Sequence, residues 1–100
     1  MSKNNNPDAL IITLIVTTDN AQANGVATNA VAAVVIDSNN VLLANQIVSF
    51  TATNGAVIAS SAITDGLGQA RGILTSTTAG TVSVTATINS SEKTEMVTFT

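Results

Sequence analysis

Residues 63–86 constrain the fold of this chain most strongly, because short β-prone segments alternate there with glycine-containing turns. Gly66 and Gly68 lie between the first two segments, and Gly80 precedes the third. The third segment alternates apolar with hydroxyl side chains, the period-2 pattern of a strand with one buried face; its apolar members are Val82, Val84, Ala86 and Ile88. Nowhere does the chain place apolar residues at helical spacing, so the pattern predicts an all-β fold.

Turn signals divide the rest of the chain in the same way. We predict strands at residues 9–17, 29–36, 46–53, 56–59, 61–64, 70–76, 81–88 and 94–100, with a short extended piece at 41–43. About seven to nine short strands separated by turns are typical of an immunoglobulin-like β-sandwich of two packed antiparallel sheets. A length of 100 residues suits one such domain.

The alternation also predicts the core. In residues 29–36 both faces are apolar, so the pattern alone leaves the inward face open. We assign Val34 and Ile36 to the outward face, where a loop, a neighbouring domain or another chain would cover them. We expect nine inward side chains to carry the fold: Val31, Val35, Val48, Phe50, Leu74, Val82, Val84, Val97 and Phe99.

Composition argues against several function classes. The net charge is −3 with only three Lys and Arg residues, which are scattered, whereas nucleic-acid binding requires clustered cations. The absence of His and Cys removes His-based nucleophile systems and most zinc sites. The acidic residues are spread along the chain, so we predict neither catalysis nor a cofactor. The apolar run at residues 10–16 is shorter than the roughly 20 residues of a membrane helix, so we predict no direct membrane insertion.

Calcium binding is an alternative that the sequence leaves open. Four acidic residues in predicted loops are weak candidates for oxygen ligands: Asp19, Asp37, Asp65 and Glu92. The competing interpretation is turn chemistry, because Asp often accepts hydrogen bonds from the backbone just after it. The alternating acidic spacing of a calcium loop is missing, which favours the turn interpretation.

The order of these strands and turns resembles the bacterial Ig-like domain, group 1, which forms the extracellular stalks of intimin and invasin adhesins. The similarity covers nearly the whole chain from about Ala9. Each matching piece is a common turn or strand, but their order and spacing together are specific. The pieces lie at residues 23–29, 35–40, 48–50, 64–74, 77–86 and 97–99.

Four residues depart from the family pattern. Asn40 and Asn45 stand where glycine is common, and Asn tolerates a left-handed backbone better than most residues. Leu42 stands where proline is common. Gly72 stands where a larger β-former is usual, which indicates a bulge or a close approach.

The resemblance implies a non-catalytic stalk repeat of a surface adhesin. Residues 1–7 would form a disordered leader or linker, and residues 8–100 one domain excised from a tandem array. Its partners would be neighbouring Ig-like repeats, while other domains of the parent protein would bind the host-cell receptor. The parent protein would be extracellular and anchored in the outer membrane, and the isolated domain would be a monomer.

Two alternatives use the same fold differently. An Ig-like domain can decorate a phage virion protein or a secreted enzyme, because fold does not determine function. It can also bind a protein directly, for which the outward apolar residues Val34 and Ile36 are candidates. Carbohydrate binding would need an aromatic face, and we place both aromatic residues, Phe50 and Phe99, in the core.

Overall fold

The computed structural model describes residues 5–100, which form a sandwich of two four-stranded antiparallel sheets. Within that range there are eight strands and no helix: β1 (Leu10–Thr18), β2 (Asn29–Ile36), β3 (Ile47–Ala52), β4 (Val57–Ile58), β5 (Ser61–Ile63), β6 (Gln69–Thr75), β7 (Gly80–Ile88) and β8 (Ser91–Phe99). One sheet has the order β1-β2-β6-β4 and the other β5-β3-β7-β8. The prediction of an all-β, immunoglobulin-like sandwich is confirmed.

The last hairpin differs from the prediction. β8 begins at Ser91 rather than at residue 94, because Asn89 and Ser90 turn the chain alone and Ile88 pairs directly with Ser91. Asn89 makes this tight turn with a left-handed backbone, at φ 52°. Glu92, which we had placed in a loop, therefore lies inside β8 opposite Thr87.

The core lies between the two sheets. All nine side chains assigned to it are buried, with exposed fractions of at most 3%. The alternation in β7 is as expected, since Val82, Val84, Ala86 and Ile88 are buried between half-buried or exposed Thr and Ser residues. In β3, Val48 and Phe50 point the same way and meet the facing sheet. Burial of apolar surface at this density is the main stabilising contribution to such a domain.

β1 contains two bulges, which the sequence does not reveal. Its pairing with β2 shifts register between Ile11 and Thr13 and again between Val16 and Thr18. Ile11 and Leu14 both face the core although they are three positions apart. A bulge inserts one residue into the strand and so restores the inward direction. The bulges also bend this edge strand, which disfavours pairing with another chain.

Gly72 in β6 marks close packing and not a bulge. Its pairing with Val31 lies in an unbroken register between β2 and β6. A Cβ atom there would meet Ile58 Cδ1 at 3.0 Å, Val31 Cγ2 at 3.1 Å and Phe50 Cδ1 at 3.2 Å. The missing side chain is therefore what allows Phe50 to cross the sandwich at this point.

Ile36 lies on the outward face of β2, as predicted, but it is covered and does not offer the exposed surface that direct protein binding would need. Ile36 is 5% exposed, and Val34 is half-buried. The chain after β2 folds back, so that Leu42 forms a bridge opposite Ile36, while Leu10 of β1 lies opposite it on the other side. Hydrogen bonds from Asp37 N to Val41 O (2.9 Å) and from Leu43 N to Val35 O (3.0 Å) hold this loop in place. Ile36 is therefore shielded by its neighbours on both sides.

Asparagine supplies the left-handed backbone at several turns. Asn40 and Asn45 have φ values of 64° and 62°, which confirms that they replace glycine at these positions. The other non-glycine residues with positive φ in the described chain are also asparagines: Asn20, Asn54 and Asn89. Asn adopts this region at lower cost than most residues, because its short amide bonds locally to the backbone.

Candidate functional site

The two ends of the sandwich are the positions at which this domain connects to other chain. β1, β3, β6 and β8 run in one direction and β2 and β7 in the other. Asn5 lies beside the start of β3, at what we call the N-terminal end. Thr100 follows β8 at the opposite, C-terminal end. The described part of the chain has a long axis of 40 Å against 28 and 22 Å across it.

Side-chain amides fasten the chain at the N-terminal end. Asn5 Nδ2 donates to Ile47 O (2.9 Å), and Ile47 N donates back to Asn5 Oδ1 (2.7 Å). Asn89 Nδ2 donates to Asn6 O (3.0 Å) and Ala9 O (2.9 Å), which ties the chain before β1 to the β7–β8 turn. Part of the predicted leader, residues 1–4, lies outside the described residues, and the linker role of residues 1–7 stays a prediction.

The C-terminal end is fastened by residues that follow β1. Ala21 pairs in parallel with Phe99, Thr100 N donates to Ala21 O (2.9 Å), and Ala23 N donates to Thr100 O (3.0 Å). Thr98 N donates to Asp19 Oδ1 (2.8 Å). The chain thus leaves the first sheet after β1 and joins the edge of the second sheet beside the end of β8.

Asn29 completes this arrangement from inside the sandwich. It is the first residue of β2 and is fully buried, at 0% exposure. Its Oδ1 accepts from Ala21 N (3.0 Å), and its Nδ2 donates to Thr98 O (3.0 Å). A neutral amide fits here because it donates and accepts at once. We call Asp19, Ala21, Ala23 and Asn29 the C-terminal clamp.

Sequence reasoning missed Asn29. The visible signal is one polar residue at the head of an otherwise apolar strand, which is also what a strand boundary looks like. All buried side-chain nitrogen and oxygen atoms of residues 5–100 have a hydrogen-bond partner, so Asn29 belongs to a fully satisfied interior.

Three of the four calcium candidates accept backbone hydrogen bonds. Asp37 Oδ1 accepts from Asn39 N (2.8 Å) and Val41 N (3.0 Å). Asp65 Oδ1 accepts from Leu67 N (2.9 Å) and Gln69 N (3.1 Å), and these bonds lower the pKa of the exposed Asp65 carboxyl. This is the turn chemistry that competed with calcium binding.

The structure does not bring the four candidates together. Asp37 and Asp65 lie in loops at the N-terminal end, whereas Asp19 lies at the C-terminal end. Glu92 is an exposed residue of β8. Among residues 5–100 no group of three acidic side chains is close enough to hold a metal ion.

The described residues form no pocket, and they include no helix long and apolar enough to cross a membrane. The outer face of the first sheet exposes apolar side chains on both sides of β2, namely Ile12, Ile15 and Ile73. Arg71 lies on the same face, opposite Ala32.

A sandwich of two four-stranded antiparallel sheets with this strand order defines an immunoglobulin-like domain. Comparison with protein families identifies which one. The family model described as "Bacterial Ig-like domain (group 1)" matches residues 11–100, and the chain belongs to that family. The resemblance found in the sequence is thereby confirmed.

Solved structures of adhesins are similar to this chain. The D00–D0 domain of intimin matches with 30% identity and a TM-score of 0.83, over 98% of this chain and 50% of that one. Invasin, a bacterial integrin-binding protein, matches with 36% identity and a TM-score of 0.82, over 88% of this chain and 18% of that one. A 282-residue intimin fragment in complex with the intimin-binding domain of its receptor Tir matches with 30% identity and a TM-score of 0.80, over 89% and 32%.

This chain spans half or less of each of those structures. It is an adhesin-type Ig-like domain. A family 2 glycosyl hydrolase from Bacteroides cellulosilyticus matches at 18% identity with a TM-score of 0.71, which shows a shared fold alone. A search of curated protein sequences gives no match.

Proposed function

We propose that the domain is a non-catalytic spacer repeat of an extracellular bacterial adhesin anchored in the outer membrane. One observation carries the proposal: the chain arrives at the N-terminal end of the sandwich and leaves at the opposite, C-terminal end. Copies joined in series would therefore extend a stalk by a domain length each. Neighbouring Ig-like repeats are the expected partners, as in the tandem intimin domains.

The fastening at both ends supports this role. At the N-terminal end the amides of Asn5 and Asn89 hold the chain before β1, and at the other end the C-terminal clamp holds the chain after β8. The connection to a neighbour can therefore pivot only outside these contacts. Receptor binding is assigned to other domains of the parent protein, so the function of this domain is length and stiffness.

Scattering from linked copies tests the spacer geometry. We would join two and four copies in series and measure their maximum dimension by small-angle X-ray scattering. Each added copy should increase it by about the 40 Å long axis. An increase no larger than the 28 Å width would mean that copies fold back side by side, which contradicts a stalk.

The parent gene tests the adhesin context. A membrane anchor and further Ig-like repeats in the same reading frame would support the proposal, and binding of host cells should then require a distal domain. Phage tail or capsid neighbours, or a hydrolase domain, would instead favour the decoration role. The shared fold of glycosyl hydrolase domains is the observation that keeps this second candidate.

A further inference from the structure

We infer that the C-terminal clamp is the contact that resists forced unfolding when this domain is pulled from its two ends. The inference rests on the proposed spacer function, because a spacer between an anchor and a bound ligand carries tension along its chain. It concerns a property of named residues that the spacer role alone does not specify.

The direction of the strands determines how tension acts. β1 leads from the N-terminal end to the clamp, and the clamp residue Ala21 lies parallel to Phe99 of β8. Tension draws β1 and the clamp towards the N-terminal end and draws β8 the opposite way. Hydrogen bonds between neighbouring strands run across the strand direction, so these bonds are sheared together instead of opening one by one.

Four hydrogen bonds join the clamp to the last three residues of the chain. Their donor and acceptor pairs are Thr98 N to Asp19 Oδ1, Asn29 Nδ2 to Thr98 O, Thr100 N to Ala21 O and Ala23 N to Thr100 O. On its other side β8 is held by β7, in a register that runs from Gly80–Phe99 to Ile88–Ser91. The end of β8 is therefore hydrogen-bonded on both sides at the point where the pulling force is applied.

Asn29 gives the clamp its connection to the opposite sheet. It belongs to β2 of the first sheet, and its amide holds Thr98 of the second. Sliding of β8 must break this bond, and a buried amide that loses its hydrogen-bond partner is costly in free energy. The rate of forced unfolding depends on contacts that break before the transition state, and the clamp is such a contact.

Single-molecule pulling tests this inference with a matched pair of variants. Asp19→Ala removes a hydrogen-bond acceptor of the clamp, and Asp37→Ala removes one in a turn outside the pulled strands. The two changes are matched, because each carboxylate accepts hydrogen bonds from two backbone N–H groups. Pulled through its ends at constant force, Asp19→Ala should unfold about tenfold faster than the unmodified chain. Asp37→Ala should change the rate by less than about twofold. Asp19→Asn keeps an acceptor oxygen and should restore slow unfolding.

A second pulling direction distinguishes resistance to force at the clamp from a general loss of folding stability. The chain has no cysteine, so a handle on Asn54→Cys, in the β3–β4 turn, can be paired with a handle at the N-terminus, and tension then does not enter the chain through the end of β8. Along this path the effect of Asp19→Ala should disappear. Equal acceleration by Asp19→Ala and Asp37→Ala, or an Asp19→Ala effect that is the same in both directions, would overturn the inference.

Asn29→Ala should accelerate end-to-end unfolding further, because it removes the link between the sheets. If that variant does not fold, Asp19→Ala remains decisive, since Asp19 is exposed. These measurements use single domains and do not depend on stalk length. A negative result would therefore reject the clamp and leave the scattering test of the spacer function unaffected.

Discussion

Replacing Gly68 by alanine should destabilise the domain much more than the same change at Gly55. Both glycines have a φ of +74°, so an alanine at either position meets the same left-handed backbone. Around Gly55 nothing lies within 4 Å of the new Cβ atom. At Gly68 the Cβ atom would lie 2.8 Å from the Val35 carbonyl oxygen and 3.3 Å from Leu42 Cβ.

The expected loss of unfolding free energy is the sum of the cost of the left-handed backbone and the cost of the steric overlap. The left-handed conformation costs an L-residue about 1–2 kcal/mol, which both variants share. Steric overlap in a packed site costs about 1–3 kcal/mol more, and Gly68→Ala alone has this overlap. The Val35 oxygen cannot move away easily, because β2 pairs on both sides, Val35 N donates to Gly68 O (2.8 Å) and Val35 O accepts from Leu43 N (3.0 Å). Gly68→Ala should therefore lose about 2–5 kcal/mol of a total that is about 5–15 kcal/mol for domains in general.

Urea unfolding followed by far-ultraviolet circular dichroism measures both variants on one scale. With equal slopes, the two midpoints give the difference in unfolding free energy. Losses that agree within about 0.5 kcal/mol, the usual size of a surface effect, would refute the steric argument. The left-handed backbone alone would then explain why glycine occupies residue 68.

Three further outcomes follow from the core and the loops. Phe50→Ala should cost about 3–5 kcal/mol of unfolding free energy in urea, and Thr51→Ala on the exposed face less than about 0.5 kcal/mol; similar losses would contradict the assignment of the inward face. Backbone N–H groups lower the pKa of Asp65 in the folded state. The stabilisation that the ionised Asp65 gives to the fold is therefore present above the unfolded-state pKa and is lost as the pH falls through the folded-state pKa. Below about pH 4 the melting temperature of Asp65→Asn should fall less steeply with pH than that of the unmodified chain. Millimolar calcium should leave the melting temperature unchanged, and a rise that a chelator reverses would reassign carboxylates such as Asp37 as ligands.

Strands with one polar face could be predicted almost to the residue. β7 alternates Val and Ala with Thr and Ser, and that alternation determines both its limits and its inward face. The exact limits of β2 were also predicted, because polar loops bound it on both sides. A long apolar run between turn signals is thus sufficient to locate a strand, although it leaves the direction of each side chain open.

The structural predictions fail where the sequence does not alternate apolar with polar residues. The run at residues 10–16 is almost wholly apolar, so no pattern could reveal the bulges of β1. Ile36 was assigned to the outward face, and alternation does not say whether an outward side chain is exposed; the loop after β2 brings Leu42 back opposite it. Such burial depends on how the following loop folds back beside the strand, which a local period cannot encode.

Asparagine explains why neither end of the domain was recognised as structured. In a sequence, Asn signals a turn, and at residue 89 it does make one, with φ 52°. Yet the same residue donates from Nδ2 to Asn6 O and Ala9 O, which glycine at that turn could not do. Asn29 makes no turn at all and uses both amide atoms to join the sheets. Only 9% of the residues are charged, and side-chain amides form the links between segments that ion pairs form in other proteins. Inside the sandwich an amide does so without the desolvation cost of a buried charge.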